Sequence, residues 1–140
     1  MGCDIHMHTE VKINGKWHHY GSPNIRRNYE LFSLLAGVRD RCGEIEPISQ
    51  PRGIPEDATE LTRFMCDRDG KDGHSHSWIS AEEMVIVDRI GTERKWFDAI
   101  HGVEGAFGYL FGNGWAGFSQ FPDERPAGLE DVRWVFWFDC

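Results

Sequence analysis

Cys3-Asp4-Ile5-His6-Met7-His8-Thr9-Glu10-Val11-Lys12-Ile13, followed at once by Asn14-Gly15, is the stretch whose reading decides the fold. Cys3, Ile5, Met7, Thr9, Val11 and Ile13 take one set of alternate positions, and Asp4, His6, His8, Glu10 and Lys12 take the other. Successive side chains of a strand point to opposite faces, so this period of two predicts a half-buried strand. Asn-Gly provides the positive-φ residues that a type I′ hairpin turn needs. Lys16 to Tyr20 is therefore expected to return as a second strand.

Outward from the hairpin, Gly21-Ser22-Pro23 stops it and a first helix is expected from about Arg26 to Ala36. Tyr29, Phe32, Leu35 and Ala36 form its apolar stripe, and Gly37 is a natural C-terminal cap. Residues 40–55 read as a loop punctuated by Pro47, Pro51, Gly53 and Pro55, long enough to be a lid or binding loop. A second helix is expected over Glu56 to Met65 with Leu61, Phe64 and Met65 inward, and a polar loop from Asp67 to His76. Ser80-Ala81-Glu82-Glu83 reads as a capping box, opening a third helix to about Ile90 that continues towards Ile100 if Gly91 is tolerated.

Residues 105–121 interleave glycine and asparagine with six aromatic residues, which predicts a glycine-rich aromatic hairpin. Val132 to Phe138 is a near-continuous apolar run, the pattern of a strand buried on both faces. Together these elements predict one α+β domain spanning residues 1–140. Its sheet is mainly antiparallel, with four or five strands, and two or three helices pack on one face. The first and last strands are expected to be neighbours.

The 140 residues carry 40% hydrophobic and 13% aromatic side chains, enough for one core and against extensive disorder. The formal net charge of −8 argues against non-specific coating of nucleic acid, because phosphate neutralisation needs a basic surface. No basic start followed by an apolar run marks a signal peptide, and no stretch is apolar enough to span a bilayer. Cys3, Cys42, Cys66 and Cys140 lie far apart without a C-x-x-C pair, so free thiols in a cytoplasmic protein are expected.

Two segments hold the residue types that metals prefer. Asp4 and His6 lie on one strand face, roughly 6–7 Å apart by the strand rise. His74-Ser75-His76 offers two imidazoles from one short segment, and both share a face if that segment is extended. Imidazole and carboxylate suit Zn, Mn or Fe, and a bound divalent metal ion lowers the pKa of its water. The expected metal set is therefore Asp4, His6, His74 and His76, with His8 and Glu10 as acid–base groups. Arg26 and Arg27 would meet phosphate, the bland alternative for these arginines being a surface pair with Glu30. Trp78 and Asn113 complete the candidate substrate contacts. Cys3, on the apolar face, is expected in the core.

Met1-Gly2-Cys3-Asp4-Ile5-His6, Gly73-His74-Ser75-His76-Ser77-Trp78, Tyr109-Leu110-Phe111-Gly112-Asn113 and the ending from Gly128 through Asp139 together resemble a family of small bacteriophage and prophage proteins. The resemblance implies phage origin and life in the host cytoplasm, and it assigns no catalytic residue. Two functions follow as expectations. One is a metal-dependent hydrolase of phosphodiesterase or nuclease type, acting on a small-molecule or nucleotide substrate. The other is a non-catalytic accessory protein that binds a host protein or sequesters a small nucleotide ligand, and its contact surface would be the aromatic segment and the 40–55 loop.

Overall fold

A computed structural model describes residues 2–23, 25–40, 43–96 and 128–140. Its elements are β1 (Asp4–Ile13), β2 (Lys16–Gly21), α1 (Tyr29–Ala36), α2 (Glu60–Asp69), a 3₁₀ turn (Gly70–Asp72), β3 (Gly73–Ser80), α3 (Ala81–Glu93) and β4 (Leu129–Asp139). The described strands make one antiparallel sheet in the order β2-β1-β4-β3. The α+β class is as the sequence pattern predicts, and the first and last strands pair along their whole length, from Asp4 opposite Asp139 to Ile13 opposite Leu129. Among the described residues no helix is long and apolar enough to cross a membrane.

The hairpin turns at Asn14 and Gly15, both at positive φ as a type I′ turn requires. Ile5, Met7 and Val11 of β1 share a face with Val132, Trp134, Phe136 and Phe138 of β4, and all are buried. Leu31, Phe32, Leu34 and Leu35 of α1, with Met84 and Val87 of α3, close over that face. Phe32 meets Phe138 edge-on at 5.2 Å. Full burial of each such side chain is worth about 1.5–3 kcal/mol, so this layer supplies most of the drive to fold. Val132 to Phe138 is buried on both faces, matching its unbroken apolar run.

Capping sets the helix boundaries. Asn28 accepts from the Leu31 amide and Gly37 ends α1 in the left-handed region, so the helix begins three residues later than Arg26. The capping box of Ser80 and Glu83 forms as expected, and α3 runs through Gly91 to Glu93. The helix ends there, with Arg94 as its C-cap and Lys95 at a φ of 60°, so it does not continue towards Ile100. The aromatic segment 105–121, His101, Asn113 and Cys42 lie outside the described residues.

Two further expectations are corrected. The second helix spans Glu60–Asp69 rather than Glu56 to Met65, because Thr59 provides the N-cap and its side chain accepts from the Thr62 amide. Its inward residue is Thr62, while Leu61 and Phe64 are 46% and 62% exposed. The reason is on the sheet: Thr62 Oγ1 and the Thr59 amide both donate to the buried Glu10, so the polar side of the helix faces in. α2 thus meets the face opposite α1 and α3. The second correction is the expected polar loop from Asp67 to His76: α2 and the 3₁₀ turn take its first six residues, and β3 takes its last four, Gly73 to His76. Gly73 to Ser80 is held as a strand by β4 on one side, while the Gly53 amide donates to the His76 carbonyl and the Arg52 amide to Ser77 Oγ. The 40–55 loop is thereby stitched to β3 at its far end.

Candidate metal centre

The even-numbered face of β1 gathers histidines around one indole. His6 and His8 stack on Trp137 at 6.1 and 5.2 Å, and His76 stacks on it at 6.0 Å from the other side. Asp69 of α2 accepts from Trp137 Nε1 at 2.8 Å and stands 3.5 Å from His6 Nδ1. Asp139 lies 3.8 Å from His6 Nε2, a buried nitrogen with no hydrogen-bond partner among the described residues. His8 is 3% exposed, and its Nδ1 is 2.9 Å from His19 Nε2. Burial, reinforced by His19, pushes the His8 pKa down to about 4, so it is neutral at physiological pH. Burial also lowers His19 and His76.

Further along the same face, Glu10 is fully buried. Its Oε1 accepts from Arg133 Nε at 2.8 Å, and its Oε2 accepts from the Thr59 amide at 2.7 Å and Thr62 Oγ1 at 2.9 Å. Burial alone raises its pKa, but the hydrogen bonds from Thr59, Thr62 and Arg133 prevail and hold it below the usual range. A carboxylate so completely engaged acts as a clasp. Arg133 also donates to Asp57 and lies 3.8 Å over the Trp17 ring.

The four expected metal ligands are divided. Asp4 is held by Arg27, which donates from Nε at 2.7 Å and from Nη2 at 3.2 Å, and this bond keeps its carboxyl pKa low. Arg27 therefore pairs with Asp4 rather than with Glu30. His6 and His76 flank Trp137 on one face. His74 lies on the other, because the ladder with β4 shifts register between His74 and Ser77, where Ser75 adopts a φ of 55°. One extra residue in a bulge reverses the facing of everything beyond it. Trp78 packs under Arg52 at 4.8 Å, and Arg52 in turn grips Glu83. Arg26 is exposed.

His74 instead joins two residues from the chain's distant ends. Its Nε2 is 3.2 Å from Cys140 Sγ and its Nδ1 is 3.0 Å from Ser75 Oγ. Asp4 opposite Asp139 places Cys3 across from Cys140, and the two form a disulfide. This corrects the expectation of free thiols for that pair, whose partnership is invisible as a spacing of 137 residues and follows only from strand register. Cys66 is a free thiol, pushed up in pKa by burial and then by Asp67 and Asp69, so it is a poor nucleophile.

Ligand atoms of Cys3, His74 and Cys140 all lie within 4.8 Å of one another, a group able to hold a metal ion. Cys3 is buried and its amide donates to Tyr29 Oη at 3.2 Å, while His74 and Cys140 are exposed. No other such group of three occurs among the described residues. Comparison with models of protein families, with curated proteins and with solved structures finds no match for the chain.

Proposed function

We propose that the reduced protein is a zinc-dependent hydrolase of phosphodiester type, its metal held by Cys3, His74 and Cys140. The convergence of two sulfurs and one imidazole nitrogen within 4.8 Å carries the reading. Two thiolates and an imidazole favour zinc over manganese, magnesium or calcium, which prefer oxygen. Three protein ligands leave the fourth tetrahedral position for water, whose pKa falls to about 7 on zinc. Ser75 Oγ at His74 Nδ1 supports the assignment, because a partner on the far ring nitrogen fixes the tautomer that presents Nε2. Arg27 lies over Gly2, one residue before Cys3, and is the guanidinium best placed to meet an anionic phosphate once it leaves Asp4. Thiolate ligands also fit the reducing host cytoplasm that the phage resemblance implies.

The test begins with protein purified without a histidine tag and reduced with a phosphine. After addition and removal of excess Zn²⁺, elemental analysis is expected to find one zinc per chain. His74→Ala and Cys140→Ser should each lose it, with folding checked by circular dichroism. Zinc-loaded protein should hydrolyse bis(p-nitrophenyl) phosphate, and chelator should abolish the activity. Zinc without hydrolysis reduces the reading to a metal-binding protein; failure of the reduced chain to hold zinc removes the metal as well.

A further inference from the structure

We infer that the Cys3–Cys140 disulfide and the metal are alternative states of one site, so that thiol redox state gates the proposed centre. The inference rests on the metal reading above and adds its regulation. The sulfurs that are bonded to each other are also two of the three converging ligands, with His74 Nε2 3.2 Å from Cys140 Sγ. Zinc binds thiolate, so a sulfur cannot hold the metal and its partner sulfur together.

The two sulfurs differ in access: Cys3 is buried and Cys140 is exposed. An incoming thiolate therefore attacks Cys140 Sγ and forms a mixed disulfide there. The S–S bond breaks and Cys3 leaves as the thiolate. A second thiol resolves the mixed disulfide and frees Cys140. The sum is one protein disulfide plus two thiols giving two protein thiols and one small-molecule disulfide. Zinc binding then releases two protons from the pair. In the opposite direction, a peroxide reacts with the zinc-bound pair and two protons. The sulfurs join and lose two electrons, the peroxide is reduced to two waters, and Zn²⁺ is released.

Neighbouring strands favour both states. Cys3 and Cys140 directly flank the paired ends of β1 and β4, so oxidation needs no change of register, and β3 delivers His74 from the other side of β4. Closing the disulfide also staples the chain one residue beyond the Asp4–Asp139 end of the central ladder, which makes the oxidised chain the more stable apo form.

The experiment loads phosphine-reduced protein with zinc, removes the phosphine, and titrates hydrogen peroxide. A chromogenic zinc indicator, thiol counting and mass spectrometry are read together. Zinc release is expected in step with the loss of two thiols and a mass decrease of two hydrogens mapping to the Cys3–Cys140 peptide pair. Dithiothreitol plus Zn²⁺ should restore the loaded state. His74→Ala, which keeps both sulfurs, should form the disulfide at lower peroxide because less metal protects it. Reduced protein that binds no zinc overturns the switch together with the metal reading. Zinc that stays bound while the disulfide forms, or that leaves while both thiols persist, overturns the switch alone and leaves the metal reading standing.

Discussion

The two ends of the central β1–β4 ladder are built from the same kinds of residue and behave in opposite ways. At one end Glu10 faces Arg133, and the carboxylate is sealed by Arg133, the Thr59 amide and Thr62. At the other end Asp4 faces Asp139, an exposed arginine holds Asp4, and His6 Nε2 lacks a partner among the described residues. There too the two sulfurs and His74 crowd together. A buried charge whose hydrogen-bonding capacity is filled stabilises and cannot react, whereas partly exposed donors with capacity to spare are chemically available. Acidic and imidazole side chains on alternate positions of one strand therefore diverge in role through what packs against them.

The largest test of this contrast is at the sealed end. Glu10→Ala strips a buried guanidinium of its main partner and leaves the Thr62 hydroxyl and Thr59 amide facing a void. A loss of about 3–5 kcal/mol is expected, read as a lowered midpoint with unchanged slope in urea unfolding. Glu10→Gln keeps the shape and two acceptor contacts, and should lose less. If Glu10→Ala costs no more than an ordinary surface change, the clasp is not what holds this end.

Next in size is the response to acid, which probes the middle of the same face. His8 has a folded pKa of about 4 against an ordinary 6.5. As pH falls, the unfolded chain therefore takes up a proton before the folded chain does. The associated stability is complete above about pH 6.5 and is lost progressively between there and about pH 4. The shift corresponds to a loss on the order of 3 kcal/mol over that window. His8→Phe, which keeps a ring against Trp137, should flatten the pH dependence of the unfolding midpoint in that range. A variant whose acid sensitivity matches the parent would show that some other group sets it.

Much of the frame was legible because it rests on local rules. The alternation from Cys3 to Ile13, the Asn14-Gly15 turn, the capping box at Ser80 and the apolar run before Phe138 each act over a few residues. The missed parts depend on distant partners. Thr62 faces inward because Glu10 requires a donor 52 residues away, which overrides the apolar stripe of Leu61 and Phe64. β3 contains only one β-branched residue, Ile79, between Gly73 and Ser80, so its strand character comes from β4 beside it. The bulge at Ser75 splits His74 from His76, and a pattern of alternate histidines carries no sign of it. Cys3 was readable as a core residue, whereas its partner Cys140 becomes evident only when the two end strands are in register.

The smallest expected effect belongs to the open end. Asp4 and Arg27 are both more than half exposed, and a pair so hydrated holds two long side chains in place for little net gain. Asp4→Asn should leave the unfolding midpoint within the scatter of repeated measurements at moderate salt. Gly2→Ala reaches the same pair from the other side. A methyl group at Gly2 would run into the Arg27 guanidinium, the far end of a flexible side chain, which can swing away from Asp4 with little strain. The two substitutions should thus have similarly slight effects on stability, and the double variant should add almost nothing to either. If one of them destabilises the fold as strongly as Glu10→Ala, the two ends are equally structural and the division of labour along the ladder fails.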